Sequence, residues 1–273
     1  MTHRREMSNY PNNILVEIDW LKQHLNDSNL RILDARASDP RLPMGYRTGH
    51  IPNAIQFDPS RTFWTRGAHG RDFAAGEQIA RGLGERGITN DSVVVVYDEW
   101  TGQLAAMTFW GLQMVGHREV KILHGGWAAW QKSGGAIAQD APAFAPAQYR
   151  AEPREIYRAT AEWIQANAAR ADLLLLDVRS DGEYLGGHIP GAVNLNWDAS
   201  LDPPTQNFKD AATLRAQLES VGATSDKEII AYCASGARSS HMFTTLTLLG
   251  YPRVRNYDGS MMDWYQARGL PVE

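Results

Sequence analysis

The chain contains Glu228-Ile229-Ile230-Ala231-Tyr232-Cys233-Ala234-Ser235-Gly236-Ala237-Arg238, in which a short apolar run meets a turn of small residues. The residues that follow, 239–246, have the pattern of a helix, so Cys233 is predicted to lie at a strand-to-helix corner. Unpaired helix-terminal N–H groups gather at such a corner and favour an anion. Cys233 is the only cysteine among the 273 residues, which excludes an internal disulfide and a cysteine metal cluster.

A corner of this kind can ionise the thiol. An unperturbed thiol, with a pKa of about 8.5, is only a few per cent thiolate at neutral pH, and the thiolate is the nucleophile. Lowering that pKa by about two units takes about 2.7 kcal/mol, which two or three N–H groups supply at ~1.5–3 kcal/mol each. We therefore predict that Cys233 is the catalytic residue. The residues predicted to bind substrate around it are Ala234, Ser235, Gly236, Ala237 and Arg238.

Composition and charge indicate a folded protein without a nucleic-acid partner. The sequence is 43% hydrophobic and 21% charged, and 27 basic against 31 acidic residues give a formal charge of −4. No apolar run approaches the ~18 residues of a membrane span, and residues 1–13 lack the apolar stretch of a signal peptide. We expect a cytoplasmic enzyme that does not bind a membrane. The eight histidines show no paired spacing, so no metal site is expected.

The chain repeats itself. Four early segments return later at similar offsets: 30–36 at 173–179, 49–55 at 187–193, 92–98 at 228–233, and 118–127 at 253–260. Helical patterns at 18–25, 73–85, 163–164 and 211–221 alternate with these apolar runs. Strands that alternate with helices predict a parallel sheet covered on both faces. We predict an α/β protein with two tandem domains, residues 1–140 and 156–273, joined by a linker at 141–155.

These motifs resemble the tandem-domain rhodanese family of sulfurtransferases over residues 15–273. The likeness rests on Asp177-Val178-Arg179 with Glu183-Tyr184, on Gly187-His188-Ile189-Pro190-Gly191-Ala192, on the six-residue loop from Cys233 to Arg238, and on Tyr257-Asp258-Gly259. The resemblance implies two rhodanese-like domains, each a small parallel sheet flanked by helices. It also implies a catalytically silent first domain, because Asp98 stands where the second domain has Cys233.

The resemblance implies a ping-pong reaction with small-molecule partners. Cys233 would take a sulfane sulfur from a donor, form a persulfide, and pass the sulfur to cyanide or a thiol, with no cofactor. The loop differs from the Cys-Gly-Ser/Thr-Gly-Val-Thr loop of mercaptopyruvate-type members, which favours thiosulfate as donor and leaves 3-mercaptopyruvate as the alternative. Vertebrate-type members carry an arginine where this chain has Glu183, so one cationic donor contact is missing.

Several further residues have two interpretations. Arg179 could bind substrate or anchor a loop through Asp177, and His241, near the start of the predicted helix, is a candidate base for Cys233. His50 and His188 recur in both copies, which favours a role in the Gly-His-Ile-Pro turn. A predicted loop in the first copy could face a cleft between the two domains. There a tryptophan would exclude water, and arginines would compensate for the negative charge of Glu183. The candidate residues of this loop are Trp64, Arg66, His69 and Arg71.

Two other functions compete with sulfur transfer. Cysteine-dependent phosphatases also place a cysteine loop that ends in arginine at a strand-to-helix corner. Their loop is one residue longer than the four residues between Cys233 and Arg238, so the ring predicted here is narrower and suits a sulfur atom. A redox-sensing or binding module, in which Cys233 is only an oxidisable thiol, is the other alternative.

Overall fold

The computed structural model describes residues 9–38, 45–68, 70–99 and 102–273. The first half contains, in chain order, β1 (Leu15–Val16), α1 (Ile18–His24), β2 (Leu30–Asp34), α2 (Gly45–Thr48), β3 (Ala54–Gln56), α3 (Pro59–Phe63), β4 (Trp64–Gly67), β5 (Gly70–Phe73), α4 (Gly76–Gly84), β6 (Val93–Tyr97), α5 (Gln103–Met114), β7 (Val120–Leu123) and α6 (Gly126–Lys132). The second half contains α7 (Ala161–Asn167), β8 (Leu173–Asp177), α8 (Asp181–Leu185), β9 (Val193–Asn194), α9 (Ala211–Ser220), β10 (Glu228–Tyr232), α10 (Ala237–Leu248) and β11 (Val254–Asn256), followed by a π-helical segment, Met262–Ala267.

Each half is built on a parallel sheet. The strand order is β1-β7-β6-β2-β3 in the first sheet and β11-β10-β8-β9 in the second. All pairs within these two sheets are parallel, and β2 with β6 has its counterpart in β8 with β10. The predicted α/β architecture of two similar units, each a small parallel sheet flanked by helices, is therefore confirmed. In such sheets, ligands bind outside the carboxyl ends of the strands, which is where Cys233 lies.

The two halves share one core. Helices α5 and α10 pack against each other across the boundary, and Phe109 on α5 lies 6.5 Å from Phe243 on α10 between ring centroids. Both helices are buried on almost every side, and α10 also buries polar residues such as Ser240 and Thr244, whose hydroxyls bond backbone carbonyls of the same helix or its N-terminus. Smaller apolar clusters cover the outer face of each sheet. Because α5 and α10 each begin at a strand-to-helix corner, this packing fixes the two corners relative to one another.

The structure corrects one expectation in the first half. The sequence predicts a loop containing residues 64–71 and a helix from residue 73, but β4 and β5 form an antiparallel hairpin there, with Trp64 opposite Phe73. Helix α4 begins only at Gly76. Phe73 stays in the strand because its ring packs edge-on against Trp110, with centroids 5.3 Å apart. In the part of the chain that the structure describes, no helix has both the length and the apolar character needed to cross a membrane.

Candidate active site

The sulfur of Cys233 lies at the start of a tight loop, residues 233–238, which we call the cysteine loop. Cys233 directly follows β10 and is only 1% exposed. The amide of Gly236 donates a hydrogen bond to Sγ at 3.1 Å. Gly236 has a φ of 97°, and a Cβ atom there would meet the Asp258 carbonyl oxygen at 2.6 Å. Only glycine allows the backbone to turn its amide towards the sulfur at this point.

The surroundings of Cys233 stabilise the thiolate. Burial alone would raise the pKa of the thiol, but the amides of Ser239 and Ser235, the positive charge of Arg238 and the Ser239 hydroxyl outweigh it. The pKa of Cys233 therefore lies below its usual value. Hydrogen bonds to the ionised form and a nearby cation both favour the charged state of an acid. The loop predicted from its small residues thus has the electrostatics of an anion site.

The hydroxyl of Ser260 also contacts the cysteine. Ser260 is fully buried; its Oγ accepts a hydrogen bond from the Cys233 amide at 3.0 Å, lies 3.8 Å from Sγ and donates to the Tyr257 carbonyl at 2.8 Å. Its φ of 52° is unusual for a residue other than glycine. Neither Ser260 nor Ser239 is among the site residues predicted from the sequence. The sequence feature that could have indicated Ser260 is its position directly after the Tyr257-Asp258-Gly259 motif, just beyond the end of β11, the parallel neighbour of β10.

Arg238 is held by an acid. Its Nη1 and Nη2 donate to the two carboxylate oxygens of Glu183 at 2.7 and 2.8 Å. Arg238 lowers the pKa of Glu183 to about 2, with further help from Ser180, so the ion pair persists at neutral pH. Glu183 also accepts hydrogen bonds from the Ser180 amide and hydroxyl and so forms the capping box of α8. The arginine predicted to bind substrate therefore faces Cys233 with part of its charge already neutralised.

The hairpin of the first half reaches the active site of the second. Trp64 is buried and its Nε1 donates to Asp258 at 2.9 Å, while Asp258 also accepts a 2.7 Å bond from Arg158. Arg71 donates to the Ser235 carbonyl of the cysteine loop, and its guanidinium lies 4.4 Å from the ring centroid of Trp64. The structure thus brings Trp64 and Arg71 to the cysteine loop. Arg66 is exposed, and His69 lies outside the described residues.

Arg179 lies in the turn after β8. Its Nε bonds both oxygens of Asp177 at 3.0 Å, and its Nη2 bonds Asp177 at 2.7 Å and the Gly187 carbonyl at 2.8 Å. In the half without a cysteine, Arg36 makes the same set of bonds to Asp34 and to a glycine carbonyl. These contacts are those of the loop-anchoring interpretation, and they occur whether or not a thiol is present.

The candidate histidines that the structure describes occupy two different environments. His50 and His188 each place Nδ1 near a tyrosine carbonyl, at 2.9 and 3.0 Å, and stack on that tyrosine in the same manner in both halves. His241 is fully buried, stacks on Phe208 with centroids 4.8 Å apart, and places Nδ1 3.4 Å from the Ser200 hydroxyl. Burial lowers the pKa of His241 to about 3. No hydrogen bond joins it to Cys233 in the described structure.

The first half places a carboxylate at the corner that corresponds to Cys233. Asp98 follows β6 and accepts hydrogen bonds from the amides of Gly102 at 3.0 Å, Leu104 at 2.9 Å and Ala105 at 3.2 Å. Burial raises the pKa of Asp98 to about 6, against the opposing effect of these three amides. A carboxylate in this position cannot accept and hand on a sulfur atom, and it fills the space in front of the helix terminus.

Comparison with known proteins agrees with this duplicated site. The family model for the rhodanese-like domain matches residues 17–133 and again 160–267. The chain is 36% identical to the sulfur carrier protein TtuD of Thermus thermophilus, over 95% of this chain and 96% of that one. It is 34% identical to a thiosulfate sulfurtransferase of Pseudomonas aeruginosa, with coverage of 84% and 87%.

Solved structures have the same fold. The 3-mercaptopyruvate sulfotransferase SseA of Escherichia coli aligns with a TM-score of 0.81 at 26% identity, covering 91% of this chain and 99% of that one. The wild-type structure of EanB aligns with a TM-score of 0.85 at 22% identity, covering 96% of this chain and 69% of that one. With a rhodanese-like domain in each half, a cysteine loop in the second and an aspartate in its place in the first, this chain belongs to the rhodanese family.

Proposed function

We propose that this rhodanese-family sulfurtransferase moves a sulfane sulfur from thiosulfate to cyanide or a thiol through a persulfide on Cys233. The observation that carries the proposal is the anion site around Sγ, where the Gly236 amide donates at 3.1 Å and the Ser235 and Ser239 amides lower the pKa of the thiol. In this proposal residues 156–273 form the catalytic domain, and residues 1–140 form a domain that makes no persulfide of its own.

The reaction proceeds in two displacements. The Cys233 thiolate attacks the outer sulfur of thiosulfate, the sulfur–sulfur bond of the donor breaks, and sulfite leaves with the bonding electron pair. The enzyme then carries a persulfide whose terminal sulfur bears the negative charge that Sγ bore before. Cyanide attacks this terminal sulfur, leaves as thiocyanate and returns the Cys233 thiolate. The same amides stabilise the anion at both stages because the charge stays within the loop.

Two observations bear on the choice of donor. Relatives named thiosulfate sulfurtransferase align along most of the chain, and the cysteine loop carries Ala234, Ala237 and Arg238 where mercaptopyruvate-type loops carry glycine, valine and threonine. The structural likeness to SseA favours 3-mercaptopyruvate as the second candidate. Both donors are anionic and both leave Cys233 as a persulfide, so the donor is decided by the groups around the loop.

Intact-mass analysis tests the proposal directly. After incubation with thiosulfate, the protein should gain one sulfur atom, lose it on addition of cyanide and release thiocyanate. Cys233→Ser should retain the native circular dichroism spectrum and gain nothing. The ratio of kcat/KM for thiosulfate to that for 3-mercaptopyruvate identifies the donor. Oxygen-sized mass increments without sulfur would support a redox sensor, and hydrolysis of an aryl phosphate without thiocyanate would support a phosphatase; either result refutes sulfur transfer.

A further inference from the structure

Among the residues that the structure describes, three arginines lie in or beside the cysteine loop, and two of them are paired with carboxylates. Arg238 is bound by both carboxylate oxygens of Glu183, and Arg158 is bound by Asp258 at 2.7 Å. Each of these cations therefore brings its own anion into the site. A donor such as thiosulfate, which carries two negative charges, gains little from a guanidinium that is already saturated by a carboxylate.

Arg71 is the exception. Among the described residues it forms no ion pair; its contacts are the Ser235 carbonyl, bound through Nη2, and the face of the Trp64 ring at 4.4 Å. Its Nε and Nη1 have no hydrogen-bond acceptor among those residues. Burial lowers the pKa of Arg71, and the nearby negative charges of Asp258 and Cys233 oppose this effect and favour the protonated guanidinium. Arg71 thus brings a positive charge to the loop together with unused donors.

Arg71 lines a cavity beside the cysteine loop. It has a volume of about 230 Å³, and Arg71 and Ser235 both line it, together with Gly259, Met262 and Asp263 from the second half. Because a water molecule occupies about 30 Å³ in the liquid, the cavity has room for several waters or for one small anion. One wall is formed by the hairpin and another by the cysteine loop, so a ligand inside it touches both halves of the chain.

We propose that Arg71, supplied by the first half, is the cation that binds the anionic end of the sulfur donor and the departing anion in the active site of the second half. The inference rests on the proposed function, since it concerns the donor of the same reaction. It assigns to the silent domain a direct part in catalysis. Glu183 removes positive charge from the site in two ways, because it occupies the position of an arginine and because it pairs with Arg238. Arg71 supplies the cation that is missing.

The binding energy expected of this contact sets the size of the test. A hydrogen bond between charged groups contributes about 1.5–3 kcal/mol, and 1.4 kcal/mol corresponds to a factor of ten. Arg71→Gln keeps a side chain that can bond the Ser235 carbonyl but removes the charge, and it should raise KM for thiosulfate at least about tenfold. Arg71→Lys should recover part of the loss. The matched control is Arg61→Gln, which changes an arginine of the same half whose side chain is 90% exposed. This variant should leave KM unchanged.

A second measurement does not depend on sulfur transfer. Iodoacetate and iodoacetamide alkylate the same thiolate and differ in charge, so the ratio of their rates at Cys233 reports the cation beside it. Arg71→Gln should lower this ratio about tenfold relative to wild type, whereas Arg61→Gln should not. An unchanged ratio and an unchanged KM in folded Arg71→Gln would overturn the inference. A lowered ratio in a protein whose wild type takes no sulfur from thiosulfate would refute the proposed function and leave Arg71 as an anion-binding residue.

Discussion

Replacing Glu183 by glutamine should increase the affinity of this enzyme for thiosulfate. Glu183 binds Arg238 through two hydrogen bonds of 2.7 and 2.8 Å, and the substitution removes its negative charge while leaving a side chain of the same length. The capping box of α8 survives, because a glutamine oxygen can still accept from Ser180. Arg238 then presents an uncompensated charge to the donor and to Cys233.

The magnitude follows from exposure and geometry. A bond between a guanidinium and an anionic donor contributes about 1.5–3 kcal/mol when it is well buried. The Arg238 side chain is 22% exposed and that of Glu183 38% exposed, so solvent weakens the interaction and the lower figure applies. About 1.4 kcal/mol corresponds to a tenfold fall in KM for thiosulfate. The loss of an exposed ion pair should cost at most about 1 kcal/mol of the free energy of unfolding.

Steady-state thiocyanate formation at varied thiosulfate measures KM, and the pH dependence of iodoacetamide alkylation measures the pKa of Cys233. Glu183→Gln should lower both, because the charge of Arg238 is then less offset near the thiolate. Ser180→Ala, which weakens the cap of α8 but keeps the Glu183 charge, is the matched control and should change neither. A KM for Glu183→Gln equal to that of wild type, in a protein with a normal urea-unfolding curve, would refute the argument that Glu183 restrains Arg238.

Three further outcomes are expected. Ser239→Ala should raise the pKa of Cys233, measured by the same alkylation profile, because the hydroxyl no longer stabilises the thiolate. Asp98→Asn should leave turnover nearly unchanged. Burial raises the pKa of Asp98 from 3.8 to about 6, so the native state binds this proton more tightly than the unfolded chain does. The free energy of unfolding of the wild type should therefore fall by about 3 kcal/mol as the pH rises from 3.8 to about 6. Urea unfolding should show no such fall for Asp98→Asn. Trp64→Phe should lower the free energy of unfolding by about 1–3 kcal/mol, because buried Asp258 loses a donor.

The sequence predicted the parts of the site that are local along the chain. The strand β10, the glycine at 236 and the helix after it lie within a single stretch, so the corner and its anion preference follow from residue types and spacing. The repeat predicted the parallel sheets for the same reason, since each copy carries its own apolar runs and its own Asp-x-Arg turn. Both features were found where the pattern placed them.

The contacts that connect distant segments could not be predicted in this way. Glu183 and Arg238 are 55 positions apart, and no periodicity marks them as partners. Trp64 and Asp258 are separated by 194 positions and lie in different halves. The residues of the hairpin predict a loop because they mix glycine, charged and aromatic types, and the hairpin forms through its packing on Trp110 and on the cysteine loop. Tertiary contacts therefore override weak local preferences here.

The two corners of the duplicated fold bind an anion by the same means. In the first half the amides of Gly102, Leu104 and Ala105 bond the Asp98 carboxylate, and in the second the Gly236 amide bonds Cys233, with the Ser235 and Ser239 amides lowering the pKa of its thiol. Each of the helices that begin there is preceded by a glycine with positive φ, 74° at Gly102 and 97° at Gly236. The anion site is thus formed by the backbone that both halves share, whichever side chain follows the strand. The two halves differ in the side chain that occupies this site: the first holds the carboxylate of Asp98, which cannot carry a sulfur atom, whereas the second holds the sulfur of Cys233, which in the proposed reaction takes up and releases a second sulfur atom.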